Sequence, residues 1–87
     1  MNEKEIQLLN QLAAKIKSRR LELNLSQETL ANKCNLDRTY ISLVERSKRN
    51  PSYLTLIKIC EGLEIDLKKL LGDWYDKKGN RTKPTGR

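Results

Sequence analysis

Histidine is absent from this chain, and cysteine occurs only twice, at Cys34 and Cys60. Without histidine the commonest general base and metal ligand is missing. The two thiols are too far apart for a Cys-x-x-Cys redox or zinc pair, and two cannot build a disulfide framework. Both fall at apolar positions of predicted helices, so both are expected as buried free thiols. There is no glycine-rich phosphate loop, and the carboxylates sit in capping or surface positions rather than in pairs. These absences argue against an enzyme and against any metal or other cofactor. No segment is apolar for long enough to span a bilayer. The start, MNEKEIQLLNQ, lacks the apolar core of a signal peptide. A cytoplasmic protein with no membrane partner is expected.

What remains is charge and short helical patterns. The 87 residues are 37% apolar and 33% charged, ordinary for one small soluble domain. The net charge is +7 and the pI about 9.7, which points to a polyanionic partner, nucleic acid before an acidic membrane. The charge is uneven, because the last stretch, DKKGNRTKPTGR, holds five basic residues and one acid. That stretch has almost no apolar residues and reads as a basic flexible tail, residues 76–87, behind a folded domain, residues 1–75. A domain this small buries a modest core and is often helped by a partner subunit.

Residues 4–23 read as one long helix, with Leu9, Leu12, Ala13, Ile16 and Arg20 at helical spacing and no glycine or proline between them. Ile6 and Leu8 extend its apolar content toward the start. Asn24 and Asn35 are residues that tolerate a left-handed backbone, so each ends a helix. Ser26, Asp37 and Ser52 are good caps for a second, third and fourth helix. Leu30, Ala31 and Cys34 share a face of the second. Tyr40, Ile41, Val44 and Glu45 share a face of the third, with Arg38, Thr39, Ser42 and Arg46 leaning the other way. The fourth carries Leu54, Leu56, Ile57, Ile59, Cys60 and Leu63. Asp66 caps a short fifth with Leu67, Leu70 and Leu71, stopped by Gly72. No strand pattern or internal repeat appears, so the fold class is an all-α, five-helix domain.

Two short helices joined by a three- or four-residue turn form the helix-turn-helix unit that reads DNA. Ala31 is small where the two helices must meet closely. Leu36, Ile41 and Val44 hold the second of them to the core, and its outward side chains are free to enter a major groove. The strings LSQETLA, NLDRTYIS, VER and KRNPS, followed by LIKICEGLEI and DLKKLL, resemble the Cro/repressor-type helix-turn-helix family, also called the xenobiotic-response-element family. The resemblance covers residues 15–71. NLDRTYISLVER with KRNPS is especially similar to the controller proteins of bacterial restriction–modification systems. The family usually has glycine at the positions of Asn24, Asn35 and Glu64. Glutamate accepts a left-handed backbone poorly, at a cost on the order of 1 kcal/mol, so the link at Glu64 is expected to depart from the usual geometry. Arg19 stands where the family prefers an apolar residue, and the end of the first helix is expected to pack differently.

Given the motif, Arg38 and Thr39 at the start of the third helix are the leading base readers. Arginine can donate two bonds to guanine O6 and N7, and threonine can bond a base edge or touch a thymine methyl. Ser42 and Leu43, a turn further on, are weaker candidates. Tyr40 can pack its ring on the core and reach a phosphate with its hydroxyl. Arg46, Lys48, Arg49 and Asn50 lie where the following loop would run along the DNA backbone, a place for sequence-blind contacts. The resemblance implies that Gln27 bonds a phosphate and braces the recognition helix, and that Arg20 and Glu45 form a buried or half-buried structural ion pair. It also implies a homodimer seam drawn from Leu63, Ile65, Leu67, Leu70, Leu71 and Trp74. The expected function is a sequence-specific transcriptional regulator that binds double-stranded DNA as a homodimer on a roughly palindromic operator. The alternative keeps the fold but makes the chain an antitoxin or accessory subunit that mainly binds a protein.

Overall fold

Every helix begins on a short polar side chain that occupies a free backbone N–H. The computed structural model describes residues 1–72, so Trp74, the expected boundary at 75 and the basic tail lie outside the described residues. α1 spans Glu3–Glu22, α2 Gln27–Cys34, α3 Arg38–Glu45 and α4 Tyr53–Gly62, and α5 covers residues 67–72. Ser26, Asp37 and Ser52 cap α2, α3 and α4 as expected, and Asp66 Oδ1 accepts from Lys69 N at 2.7 Å. α1 starts earlier than its apolar pattern suggests, because Asn2 and Glu5 form a reciprocal capping box. α5 continues through Gly72 instead of stopping before it.

The helix ends are equally regular. In four places a backbone N–H reaches back five residues: Leu25 to Arg20 O, Leu36 to Ala31 O, Lys48 to Leu43 O and Ile65 to Cys60 O, at 2.8–3.1 Å. The residue inside each of these closures has positive φ: Asn24 (59°), Asn35 (58°), Ser47 (61°) and Glu64 (56°). This is the left-handed helix stop that glycine usually supplies. The link at Glu64 therefore keeps the usual backbone geometry, contrary to the sequence expectation. Its neighbours explain why. The Arg19 guanidinium donates to Leu63 O at 3.0 Å and Glu64 O at 3.2 Å, occupying carbonyls at the end of α4. Lys33 Nζ meets Glu64 Oε2 at 2.8 Å, and that hydrogen bond holds the Glu64 carboxyl below its ordinary range. Arg19 thus has a polar job that an apolar residue could not perform.

The core lies where α1, α2, α3 and α4 converge on Ile16, Leu30, Ile41, Val44, Ile59 and Leu63, all essentially inaccessible. Cys34 and Cys60 are buried free thiols, and burial, with Asp66 adding to it, pushes the Cys60 thiol up to about 11. α2 and α4 approach closely because Gly62 has no side chain. A Cβ there would overlap Cys34 Sγ and come within 3.2 Å of Leu30 Cδ1. The expected seam residues divide. Leu63 and Leu70 belong to the monomer's own core and offer no surface to a partner. Ile65, Leu67 and Leu71 sit half-buried at its edge. Tyr53 and Leu54, by contrast, stand largely in solvent at 67% and 73% exposure, and so do Ile6 and Leu8 to a lesser degree. Among the described residues no helix is long and apolar enough to cross a membrane.

One ion pair ties the long α1 to the end of α3. Arg20 Nε and Nη2 grip the two carboxylate oxygens of Glu45 at 2.7 and 2.9 Å, and Arg20 Nη1 donates to Leu25 O at 2.7 Å. The side chains are only 9% and 2% exposed. The hydrogen bond to Glu45 raises the Arg20 pKa further above its already high ordinary value, while burial pulls the other way. The guanidinium therefore stays charged at any working pH.

Two substitutions test this packing. Glu45→Ala leaves a buried guanidinium without its counter-charge and should lower the unfolding free energy by about 3–5 kcal/mol in urea titration. A loss below about 1 kcal/mol would mean that the pair behaves as a surface one. Gly62→Ala should destabilise by about 1–3 kcal/mol through overpacking against Cys34. Helix propensity alone predicts the opposite sign, a gain of up to about 1 kcal/mol, so a more stable variant would refute the close approach.

Candidate nucleic-acid interface

The α2–α3 pair supplies the geometry. Asn35, Leu36 and Asp37 form the whole link, with Asn35 left-handed and Asp37 already capping α3. Ile41 and Val44 are buried and Leu36 packs against the same cluster, which fixes the inner face of α3. Its first turn then projects outward, with Arg38 and Thr39 both exposed. Ser42 and Leu43 follow half-buried on the flank of the helix, less open than the first turn. The four base-reading candidates therefore lie along one helix, graded in access from its start.

The end of α3 is held from behind. Gln27, at the first position of α2, donates its Nε2 to Glu45 Oε1 at 3.0 Å. The same carboxylate oxygen accepts from Arg20 Nη2, so α1, α2 and α3 meet at one Glu45 side chain. Of the two roles expected for Gln27, this contact supplies the brace. Its amide retains a second N–H and a carbonyl oxygen for other partners. The bond between Gln27 and Glu45 was not legible in sequence, although the bracing role was.

Beyond α3 the chain turns sharply at Ser47 and runs out through Lys48, Arg49 and Asn50, all exposed, to the buried Pro51. Arg46 is exposed too, but its Nε donates back to Ser42 Oγ at 3.3 Å. Two residues expected in different roles, base edge and phosphate, therefore touch each other. Tyr40 packs on the core cluster, half-buried, with the Arg49 guanidinium 5.5 Å from its ring centroid. Glu45, the one acid within α3, is neutralised by Arg20, so the exposed surface from Arg38 to Arg49 is cationic. The left-handed Ser47 that aims this loop is not foreseen from the sequence. Serine has no special preference for that backbone, and the only signal was its place just after the helix.

Among the described residues, a groove of about 570 Å³ beside α1 is walled by Leu8, Leu9, Leu12, Leu56 and Leu71 with a single carboxylate, Glu5. No cluster of potential metal ligands occurs among the described residues.

Comparison with known proteins agrees with this geometry. Residues 16–70 match the helix-turn-helix family. The control protein C.MunI of Mycoplasma sp is 44% identical over 73 residues, covering 84% of this chain and 95% of that one. The control protein C.SmaI of Serratia marcescens is 47% identical over 60 residues, 69% of this chain and 71% of its own. Among solved structures, the restriction–modification controller protein C.Esp1396I, as a tetramer in complex with its natural 35 base-pair operator, superposes with a TM-score of 0.73 at 44% identity. That match covers 76% of this chain and 87% of that one. With the motif, the braced recognition helix and these relatives in agreement, the chain belongs to the helix-turn-helix family.

Proposed function

We propose that this protein is a dimeric, sequence-specific DNA-binding regulator of transcription and the controller of a restriction–modification system. The observation that carries this is the exposed first turn of α3, with Arg38 and Thr39 facing solvent from a helix whose other face is locked into the core. Arg38 and Thr39 read base edges, and Ser42 and Leu43 add contacts on the flank of the groove. Arg46, Lys48, Arg49 and Asn50 sit on the DNA backbone and set register, with Tyr40 packed behind Arg49. Gln27 braces α3 and offers its remaining amide N–H to a phosphate. No catalytic activity and no cofactor is part of this function, and its place is the cytoplasm, where the DNA is.

A roughly palindromic operator follows from two-fold pairing, with recognition helices entering successive major grooves about 34 Å apart. The seam draws on Ile65, Leu67 and Leu71, with Trp74 beyond the described residues. The exposed Tyr53 and Leu54 at the start of α4 extend the apolar surface available to it. The domain runs to about residue 75, and the basic stretch 76–87 adds sequence-blind attraction to phosphates.

Selection of bound duplexes from a random pool tests the whole reading. A palindrome with half-sites one helical turn apart, or a multiple of that, is expected, and no enrichment would refute it. On the selected duplex, Arg38→Ala should cost about 1–3 kcal/mol of binding and relax preference at one base position in each half-site. Lys48→Ala should weaken the selected and scrambled duplexes alike. It should also reduce the slope of log K against log[salt] by about 0.9 for each phosphate contact removed. Unchanged base preference in Arg38→Ala would show that the reader lies elsewhere.

A further inference from the structure

The loop leaving α3 is pinned at both ends but open in the middle. Ser47 turns it, Lys48 N is held by Leu43 O at 2.8 Å, and Pro51 is buried at its far end. Arg49 lies between these anchors, exposed, and among the described residues no hydrogen bond or salt bridge holds it. What it does have is the Tyr40 ring, 5.5 Å from its guanidinium carbon. That ring is itself packed against the core cluster, so it is a fixed platform.

We propose that Tyr40 is a positioning residue for Arg49, and that its aromatic ring rather than its hydroxyl carries its contribution to DNA binding. A cation resting on a ring face uses none of its N–H donors. The guanidinium is thus held beside the recognition helix with its donors still available to phosphate oxygens. A free arginine must give up rotamer freedom when it grips a phosphate, and part of that loss has already occurred in the unbound protein. The inference rests on the DNA-binding reading above and gives one of its backbone contacts a mechanism.

Five proteins decide it: wild type, Tyr40→Phe, Tyr40→Leu, Arg49→Ala and the Tyr40→Leu/Arg49→Ala double variant. Each is titrated by fluorescence anisotropy against the selected duplex and a scrambled one. Tyr40→Phe should bind within about 2-fold of wild type. Tyr40→Leu should bind about 2- to 5-fold more weakly, the range of an exposed cation–π contact. The loss should be equal on both duplexes, because phosphate contacts are sequence-blind, and absent once Arg49 is already alanine. Additive losses, a Phe variant as weak as the Leu variant, or a loss confined to the selected duplex would each overturn the proposal. Proton NMR of the free protein gives a check that needs no core substitution. The Arg49 side-chain resonances should be shifted upfield by the ring in wild type and Tyr40→Phe, and unshifted resonances would also overturn it. Wild-type protein that binds neither duplex would instead refute the DNA-binding reading itself.

Discussion

The Glu45 carboxylate is where the molecule is held together. Three helices meet at it: α1 and α2 each send a donor, Arg20 and Gln27, and α3 carries the carboxylate. A recognition helix of eight residues is too short to be stable alone in water. Its orientation must come from outside, and the apolar contacts of Ile41 and Val44 fix only its inner face. Contacts of that kind allow some slippage, whereas a bidentate carboxylate–guanidinium pair does not. The buried charge is costly to form, and its value here is geometric. It fixes the end of α3, and through that end the direction of both the exposed first turn of α3 and the loop that follows.

The division of labour around that point explains why a basic protein can place charges so differently within one small domain. Arg20 is buried and structural, Arg38 exposed and free, Arg46 turned back onto Ser42, and Arg49 laid on Tyr40. The same side chain does four things because four environments offer it a carboxylate, water, a hydroxyl or a ring. The sequence already sets Arg20, Arg38 and the Arg46–Arg49 run apart, but it does not show that Arg46 turns onto Ser42 or that Arg49 lies on Tyr40. The geometry gives each of these charges its own surroundings.

Much of this architecture was legible in the residues. Caps at Ser26, Asp37 and Ser52 and stops at Asn24 and Asn35 follow from local backbone chemistry, which depends on few neighbours. The ion pair of Arg20 with Glu45 was reachable through the family resemblance and through Arg20's place on an inner helical stripe. What was not legible depends on distant partners. Arg19 reaches carbonyls at Leu63 and Glu64, more than forty positions along the chain, and it is this contact, with Lys33, that lets Glu64 keep a left-handed backbone. Leu63 and Leu70 read as candidates for a dimer seam because apolar character does not say which surface it will cover. The structure places both inside one protomer and leaves Tyr53 and Leu54 outside.

The four left-handed joints without glycine have a further consequence, which lies in the unfolded chain. Asn, Asn, Ser and Glu each strain the native backbone at Asn24, Asn35, Ser47 and Glu64. The same side chains also narrow the conformations open to the disordered polypeptide, where glycine would widen them. The two effects oppose each other, so the joints are less of a burden than their native geometry alone implies. A chain built this way gives up some native comfort at its corners and has less disorder to overcome when it folds.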